Sequence, residues 1–477
     1  MDWADLGQGI AGELILAGDE RIRLADKQYA CALPLARPQA LLRCAGVDDV
    51  RRAVEFVSRH AVPFAIRSGG HCFGDLSSSD GLVIDLSGLD SVKVGEGLVE
   101  TGPGALSGDL SRAVAAEGGV VPTGGCPLVA IGGLALAGGF GFLGRRHGLT
   151  ADRVVRLEIV LADGEIVQAS AEENGDLFWA LRGGGALGFG IVTALTLRSA
   201  PLEPLTVLNG RWPLAGAASL VEAWQAFAPD ADEAISLELG LVCPDFLDEP
   251  AFVELFGIVA GAPAEAAANV ARIEAWLGPL AGQLSAWRAS PAEGADYCVG
   301  LLTHRMGPAW LPKRQPDAVG LQATRSNFFE RELGSAAVGE CVRGFAEDRQ
   351  YAQLRELEFV PWRGAYALDD DSACFLHRAP RVLVRHTATV GARSTPELRA
   401  HTAAWTRRSA ASLAPDSNGR AYQGYAEAGR EDWASACHGD RLPRLLEIKA
   451  RRDPRRLFQN SRVPLRDASG TSRFTEG

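Results

Sequence analysis

Apolar residues recur at helical spacing from Val47 to Arg59, with Asp48 and Asp49 in the first turn. That spacing predicts a helix whose acidic start complements its dipole. The runs Pro63–Arg67 and Leu82–Leu86 are short and apolar and predict strands, so the chain begins as alternating helix and strand. Asp109–Glu117 predicts another helix, while Val154–Leu161 and Glu165–Ala169 alternate about Ala162-Asp163-Gly164 and predict a hairpin. Ile191–Arg198 predicts the strand that closes this first part. Beyond residue 201, the β-rich runs Ser236–Val242 and Phe252–Ala260 mix with an alanine-rich helix, Pro263–Leu277, and no repeat or low-complexity linker intervenes.

One stretch breaks these periodicities. Val120 to Gly144 has no charged residue but eight glycines and two prolines, and Arg145-Arg146 follows it. So many helix-weakening residues exclude a membrane span. Gly124, Gly125, Gly132, Gly133, Gly138, Gly139 and Gly141 are too many for a stable strand or helix and predict loops wrapped closely around a ligand. Gly139 to Gly144 spells G-x-G-x-x-G with Glu158 about twenty residues on, but the β-branched strand that a nicotinamide-binding turn requires is replaced by AIGGLALAGG.

Two side chains supply candidate chemistry. In Arg67-Ser68-Gly69-Gly70-His71 the paired glycines can offer N–H groups to a pyrophosphate, and a neutral His71 imidazole can attack a flavin methyl carbon. Cys126 is the only thiol within the glycine-rich stretch, and its thiolate can add to the same ring.

The order R-S-G-G-H, G-L-V-I-D-L-S, G-x-C-P-x-V and G-x-L-x-R-x-x-G-L-x-x-D-x-V, at Arg67–His71, Gly81–Ser87, Gly124–Val129 and Gly141–Val154, resembles the berberine bridge enzyme-like FAD-linked oxidases of the vanillyl-alcohol-oxidase fold. Asn174–Thr193 and Arg451–Asn460 resemble two further signatures of that family, so the resemblance covers nearly the whole chain. It implies an α+β fold: an FAD-binding domain in two parts, residues 1–205 and 441–477, and a substrate domain, 206–440, with a large antiparallel sheet covered by helices. It also implies bicovalent FAD on His71 and Cys126, with Arg67, Ser68, Gly69, Gly70, Gly124, Val129, Gly132, Gly133, Gly138, Gly139, Gly141, Ile191 and Asn460 around the cofactor.

For the base, AYQGYAEAGREDW resembles the family's A-Y-x-N-Y-x-D segment and points to Tyr425, with Tyr422 nearby, although Gly424 fills the usual asparagine slot. Tyr366 falls on a stretch resembling a second catalytic strand, where Leu368 stands in place of a glutamate base, which argues against an alkaloid-type substrate. His377 and Arg378 lie close by in sequence. Leu134 and Ala137 replace a frequent histidine and glycine of the flavin shell. The expected activity is oxidation of an alcohol or C–H bond of a bulky small molecule, glycosylated, polycyclic or a sugar, with O2 reduced to H2O2. The alternatives are a flavin-scaffold cyclase or lyase without net oxidation, and a non-catalytic small-molecule binder.

Composition narrows the classes. The 477 residues, 47% hydrophobic, are enough for more than one core. A net charge of −11, with lysine only at positions 27, 93, 313 and 449, argues against nucleic-acid binding. Nine cysteines without a C-x-x-C pair fit neither a disulfide framework nor a zinc site, so no metal is expected. Acidic residues in MDWADLGQGIAGELI oppose an export signal, and a cytoplasmic location is expected. Oligomeric state is left open.

Overall fold

The computed structural model describes residues 2–22, 36–72, 74, 76–300, 320–368, 371–425, 427 and 430–459. It contains three main sheets. The first is four-stranded in the order β1-β2-β4-β3, from Glu13–Leu16 (β1), Ala40–Arg43 (β2), Phe64–Arg67 (β3) and Leu82–Asp85 (β4), with β2 and β3 parallel to β4. The helix Val47–His60 forms the crossover between β2 and β3. It buries Val50, Ala53, Val54 and Val57 against the sheet and stops where Ala61 turns left-handed at φ 52°. Asp49, expected only to favour the helix dipole, is itself buried and accepts the backbone N–H groups of Ala11, Gly12 and Ala45.

The second sheet is antiparallel, in the order β5-β6-β10-β8-β9, from Val92–Gly95 (β5), Leu98–Thr101 (β6), Val154–Val160 (β8), Ile166–Ser170 (β9) and Ile191–Arg198 (β10). The predicted hairpin is β8–β9, turning at Gly164, φ +86°. A two-stranded pairing of Gly119–Val120 (β7) with Ala200–Pro201 (β11) completes this part. The predicted helix at residues 109–117 is Ser107–Ala116.

The third sheet has seven antiparallel strands in the order β15-β12-β14-β13-β17-β18-β16: Leu205–Pro213 (β12), Ile235–Cys243 (β13), Phe252–Ala260 (β14), Leu284–Ala289 (β15), Leu321–Phe329 (β16), Gln353–Pro361 (β17) and Val382–Val390 (β18). Because side chains alternate along a strand, Leu237, Leu239, Leu241, Leu357, Phe359, Val382 and Val384 share one face. They pack there with Trp224, Ile273, Phe345 and Trp405 of the helices Ala217–Phe227, Pro263–Leu277, Ser335–Phe345 and Pro396–Leu413. The opposite face carries Glu238, Glu356, Glu358 and Gln322, all buried beneath the rest of the protein, and the half-buried Arg385.

The last described helix, Leu442–Arg452, returns to the first part of the chain. Leu442, Leu445 and Ile448 pack with Leu177 and Trp179 of the helix Gly175–Gly184, and Arg452 Nη2 lies 2.6 Å from Asp176 Oδ1. Among the described residues no helix is long and apolar enough to cross a membrane.

Candidate active site

Between the glycine-rich segments and the polar face of the seven-stranded sheet lies a cavity of about 420 Å³. Ser68, Gly69, Gly70 and His71 line it from the loop after β3; Gly124, Gly125, Cys126, Val129, Gly132, Gly133 and Gly141 from the uncharged stretch; and Ile191 from the start of β10. Across from them stand the sheet residues, then Tyr422 and Tyr425, with Phe458 and Gln459 at one end.

His71 and Cys126, 55 residues apart in sequence, converge here: His71 Nε2 is 3.4 Å from Cys126 Sγ. The loop bearing His71 is fixed by Arg67, whose buried Nε donates to Ser77 O at 3.0 Å, and by Gly69, where a Cβ would come within 2.8 Å of Ala130 Cβ. Burial pushes the Cys126 thiol above its usual range, opposed by the Leu128 and Val129 N–H groups and by Arg385.

The wall suits a dinucleotide. Among the described residues, the N–H groups of Ser68, Gly69, Gly70, Gly124 and Gly125 donate to no other protein group, and Ser77 Oγ is buried in the wall without a partner. Successive amides of this kind form anion-binding concavities. At Gly133 a Cβ would meet no protein atom and would project into open space.

Other expected cofactor residues stand elsewhere. Arg67 lies behind the wall. Gly138 and Gly139 adopt φ +108° and +75° and are absent from the lining, because Cβ atoms there would strike the Phe375 ring and Thr150 Oγ1 at 2.5 and 2.4 Å. The Gly139 N–H is also taken, donating to Tyr422 Oη at 2.9 Å, and the Gly141 N–H donates to Tyr366 Oη at 3.1 Å. These glycines are required by packing against protein rather than by a phosphate. The stretch is also less irregular than expected, since Ile131–Leu136 forms a short helix. Asn460 lies outside the described residues.

Tyr366 corrects the sequence reading more sharply. It sits in a 3-10 turn, Gly364–Ala367, and not on a strand; it is 1% exposed and does not line the cavity. Its ring stacks on Trp362 and its hydroxyl donates to Gly141 O at 2.6 Å. Leu368 is 68% exposed and does not line the cavity. Tyr422 and Tyr425 do line the cavity, ring centroids 5.0 Å apart. Gly424 is explained by this pair, because a Cβ there would lie 2.4 Å from the Tyr422 ring. His377 and Arg378 pack behind the site, His377 stacked on Phe328 and Arg378 paired with Asp152 at 2.6 Å. Leu134 and Ala137 both line the cavity.

Sequence reasoning passed over the sheet's own polar residues. Glu356 and Glu358 are spaced by two on β17, Glu238 lies on β13 and Arg385 on β18. The signal was present in Leu354-Arg355-Glu356-Leu357-Glu358-Phe359, where acidic residues alternate with apolar ones in a strand buried on both faces. Glu358 and Arg385 are registered opposite each other and pair at 2.6 Å. Burial works against the Arg385 charge, but Glu358, Tyr425 and the neighbouring carboxylates overturn it and hold the guanidinium protonated. Arg385 Cζ lies 5.8 Å from the Tyr425 ring centre. Burial drives the Tyr425 hydroxyl well above the usual tyrosine range, with Arg385 pulling the other way, and burial likewise raises Tyr422.

Comparison with known proteins agrees with this cavity. Residues 38–170 match the FAD binding domain family. The chain is 28% identical over 458 residues to the FAD-linked oxidoreductase YvdP of Bacillus subtilis, covering 94% of this chain and 97% of that one. It is 34% identical over 221 residues to a chitooligosaccharide oxidase of Gibberella zeae, covering 45% of this chain and 44% of that one. In fold it resembles berberine bridge enzyme from Eschscholzia californica, with TM-score 0.82 and 20% identity over 97% of this chain and 98% of that one. A Physcomitrella patens berberine bridge enzyme-like protein superposes with TM-score 0.82 and 23% identity over 97% of this chain and 99% of that one. The chain carries an FAD binding domain, its full-length relatives are FAD-linked oxidoreductases, and its fold is the one seen in the berberine bridge enzyme-like proteins.

Proposed function

We propose that the chain is an oxidase that carries FAD bicovalently on His71 and Cys126 and oxidises an alcohol or C–H bond of a bulky, ring-bearing small molecule, with O2 reduced to H2O2. One observation carries the reading: two nucleophiles of different chemistry meet within 3.4 Å on one wall of a cavity whose opposite wall holds Tyr425 and Arg385. Bound FAD would supply a hydride acceptor and the electrons for reducing O2. The protein's own part is to hold the ring at one edge, take the substrate proton and exclude water.

Tyr425 is the base in this account. A free tyrosine is too weakly acidic to lose its proton near neutral pH, so a fixed cation is needed to stabilise the tyrosinate. Arg385, locked by Glu358, supplies it. Glu356, Glu358 and Glu238 give the same wall further proton acceptors within the cavity. Gly124 lines the cavity without a side chain of its own, which is in keeping with access for oxygen. Residues 1–205 and 441–477 form the FAD-binding unit and 206–440 the substrate unit on this reading. Sugar and alkaloid oxidases occur among the relatives, among them xylooligosaccharide oxidase and tetrahydroberberine oxidase, and each acts on a ring-bearing molecule as its name states.

The test couples two readouts on the flavin-loaded protein: oxygen uptake with stoichiometric H2O2 across a panel of sugars, alcohols and amines, and stopped-flow reoxidation of the reduced protein in air-saturated buffer. Reoxidation no faster than that of free flavin would contradict the oxidase assignment.

A further inference from the structure

The segment Gly138–Gly141 resembles a cofactor cradle in sequence, yet the backbone of its three glycines is engaged by protein. Gly138 O accepts from Ala151 N at 2.8 Å and Gly139 O from Thr150 N at 2.9 Å. Gly139 N–H goes to Tyr422 Oη, and Tyr366 Oη both accepts from Gly141 N and donates to Gly141 O. Two tyrosine hydroxyls, 56 residues apart in sequence, thus grip the two residues that flank Phe140. Between them the Phe140 ring lines the cavity, edge-on to Tyr422 at 5.0 Å, to Trp362 at 5.0 Å and to Tyr425 at 6.0 Å.

From this arrangement we infer that Phe140 is a specificity-determining residue whose ring receives a ring of the substrate beside Tyr425, and that Tyr366 and Tyr422 are positioning residues that hold it there. Three features point the same way. The flanking glycines cannot take side chains, so the segment cannot relax by small shifts: Gly139 is left-handed and a Cβ at Gly141 would lie 2.1 Å from Thr123 O. A double hydrogen bond on one residue from Tyr366 is a stronger constraint than packing requires, since phenylalanine would fill the same volume. Aromatic rings favour edge-to-face or offset contact with a partner ring, and Phe140 already presents that geometry to its neighbours. The inference rests on the oxidase reading of this cavity and deepens it to a substrate class, one with a ring next to the oxidised carbon.

The flavin-loaded protein is titrated with benzyl alcohol and with the comparably apolar pentan-1-ol, binding being read from the perturbation of flavin absorbance, with thermal unfolding and covalent flavin content as controls. The wild type should bind benzyl alcohol at least fivefold more tightly. Phe140→Leu should bring that ratio close to one with flavin content unchanged, and Tyr366→Phe should lower it with Phe140 intact. Phe140→Met serves if the leucine variant does not fold. An equal affinity of the wild type for both probes, or a ratio unchanged in the Phe140 variants, overturns the inference while leaving the oxidase reading intact. Absence of bound flavin, or flavin that no substrate in the panel reduces, fails the oxidase reading instead.

Discussion

At the scale of single residues, what each group can do follows from where burial puts its proton. Cys126 needs its thiolate to form a bond, yet burial holds the thiol above its usual range, so at neutral pH only a small fraction is reactive. That fraction grows about tenfold per pH unit below the pKa. In His71→Ala, which leaves Cys126 as the remaining proposed anchor, flavin attachment followed by intact mass should therefore accelerate as pH rises from 7 to 9; a flat profile would place the limiting step elsewhere. Tyr425 faces the same penalty, with Arg385 as compensation. Tyr425→Phe should slow flavin reduction by roughly 10²-fold or more, the usual worth of a positioned base, with flavin content unchanged. A loss under threefold in stopped-flow reduction would shift the base to the carboxylates of the sheet.

At the scale of elements, much was readable because local patterns and tertiary demands agree. The helix Val47–His60 and the hairpin of β8 and β9 follow from apolar spacing and from a glycine with positive φ, and the apolar face that the spacing marks is the one the helix buries. His71 and Cys126 stood out in the sequence because each sits in a glycine-rich loop that fits neither helix nor strand spacing. Tyr366 was misplaced for a physical reason: its turn is defined by Gly364, φ +73°, where a Cβ would lie 2.5 Å from Arg145 O, a constraint invisible in a local pattern. Glu356 and Glu358 were missed because acidic residues normally mark a strand's solvent side, and here that side faces a cavity.

One element has a consequence for the cavity's end. Asp453, fully buried, accepts from Lys449 Nζ at 2.7 Å, Leu457 N at 2.8 Å and Phe458 N at 2.9 Å, and Lys449 also donates to Gly188 O. This set fixes Phe458 against Gly188, and both line the cavity. Asp453→Asn leaves a buried ammonium without its counter-charge and should cost about 3 kcal/mol, read as a lower urea midpoint. It should also loosen flavin in a His71→Ala, Cys126→Ala background. Unaltered stability would show that the pair is dispensable.

At the scale of the whole molecule, three histidines among the described residues, His377, His386 and His438, are buried. Burial lowers His377 and His386 to about 3 and His438 to about 4. The unfolded chain regains the ordinary histidine value of about 6.5, so it binds more protons than the folded protein once the pH drops below that value. Stability is fully present above it and is lost as pH falls from about 6.5 toward 4. The urea midpoint should decline across that window, and His438→Phe should decline less steeply than wild type; parallel curves would remove His438 from the account.

Glycine-rich segments and the polar face of the seven-stranded sheet enclose the cavity between them, and the proposed activity depends on a flavin held there by two covalent bonds. The decisive measurement is intact mass with visible absorbance after acid denaturation, on wild type, His71→Ala, Cys126→Ala and the double variant. Two anchors predict flavin mass retained in wild type and in each single variant and lost only when both are removed. Free release of flavin from denatured wild type, or retention by the double variant, would contradict the bicovalent assignment.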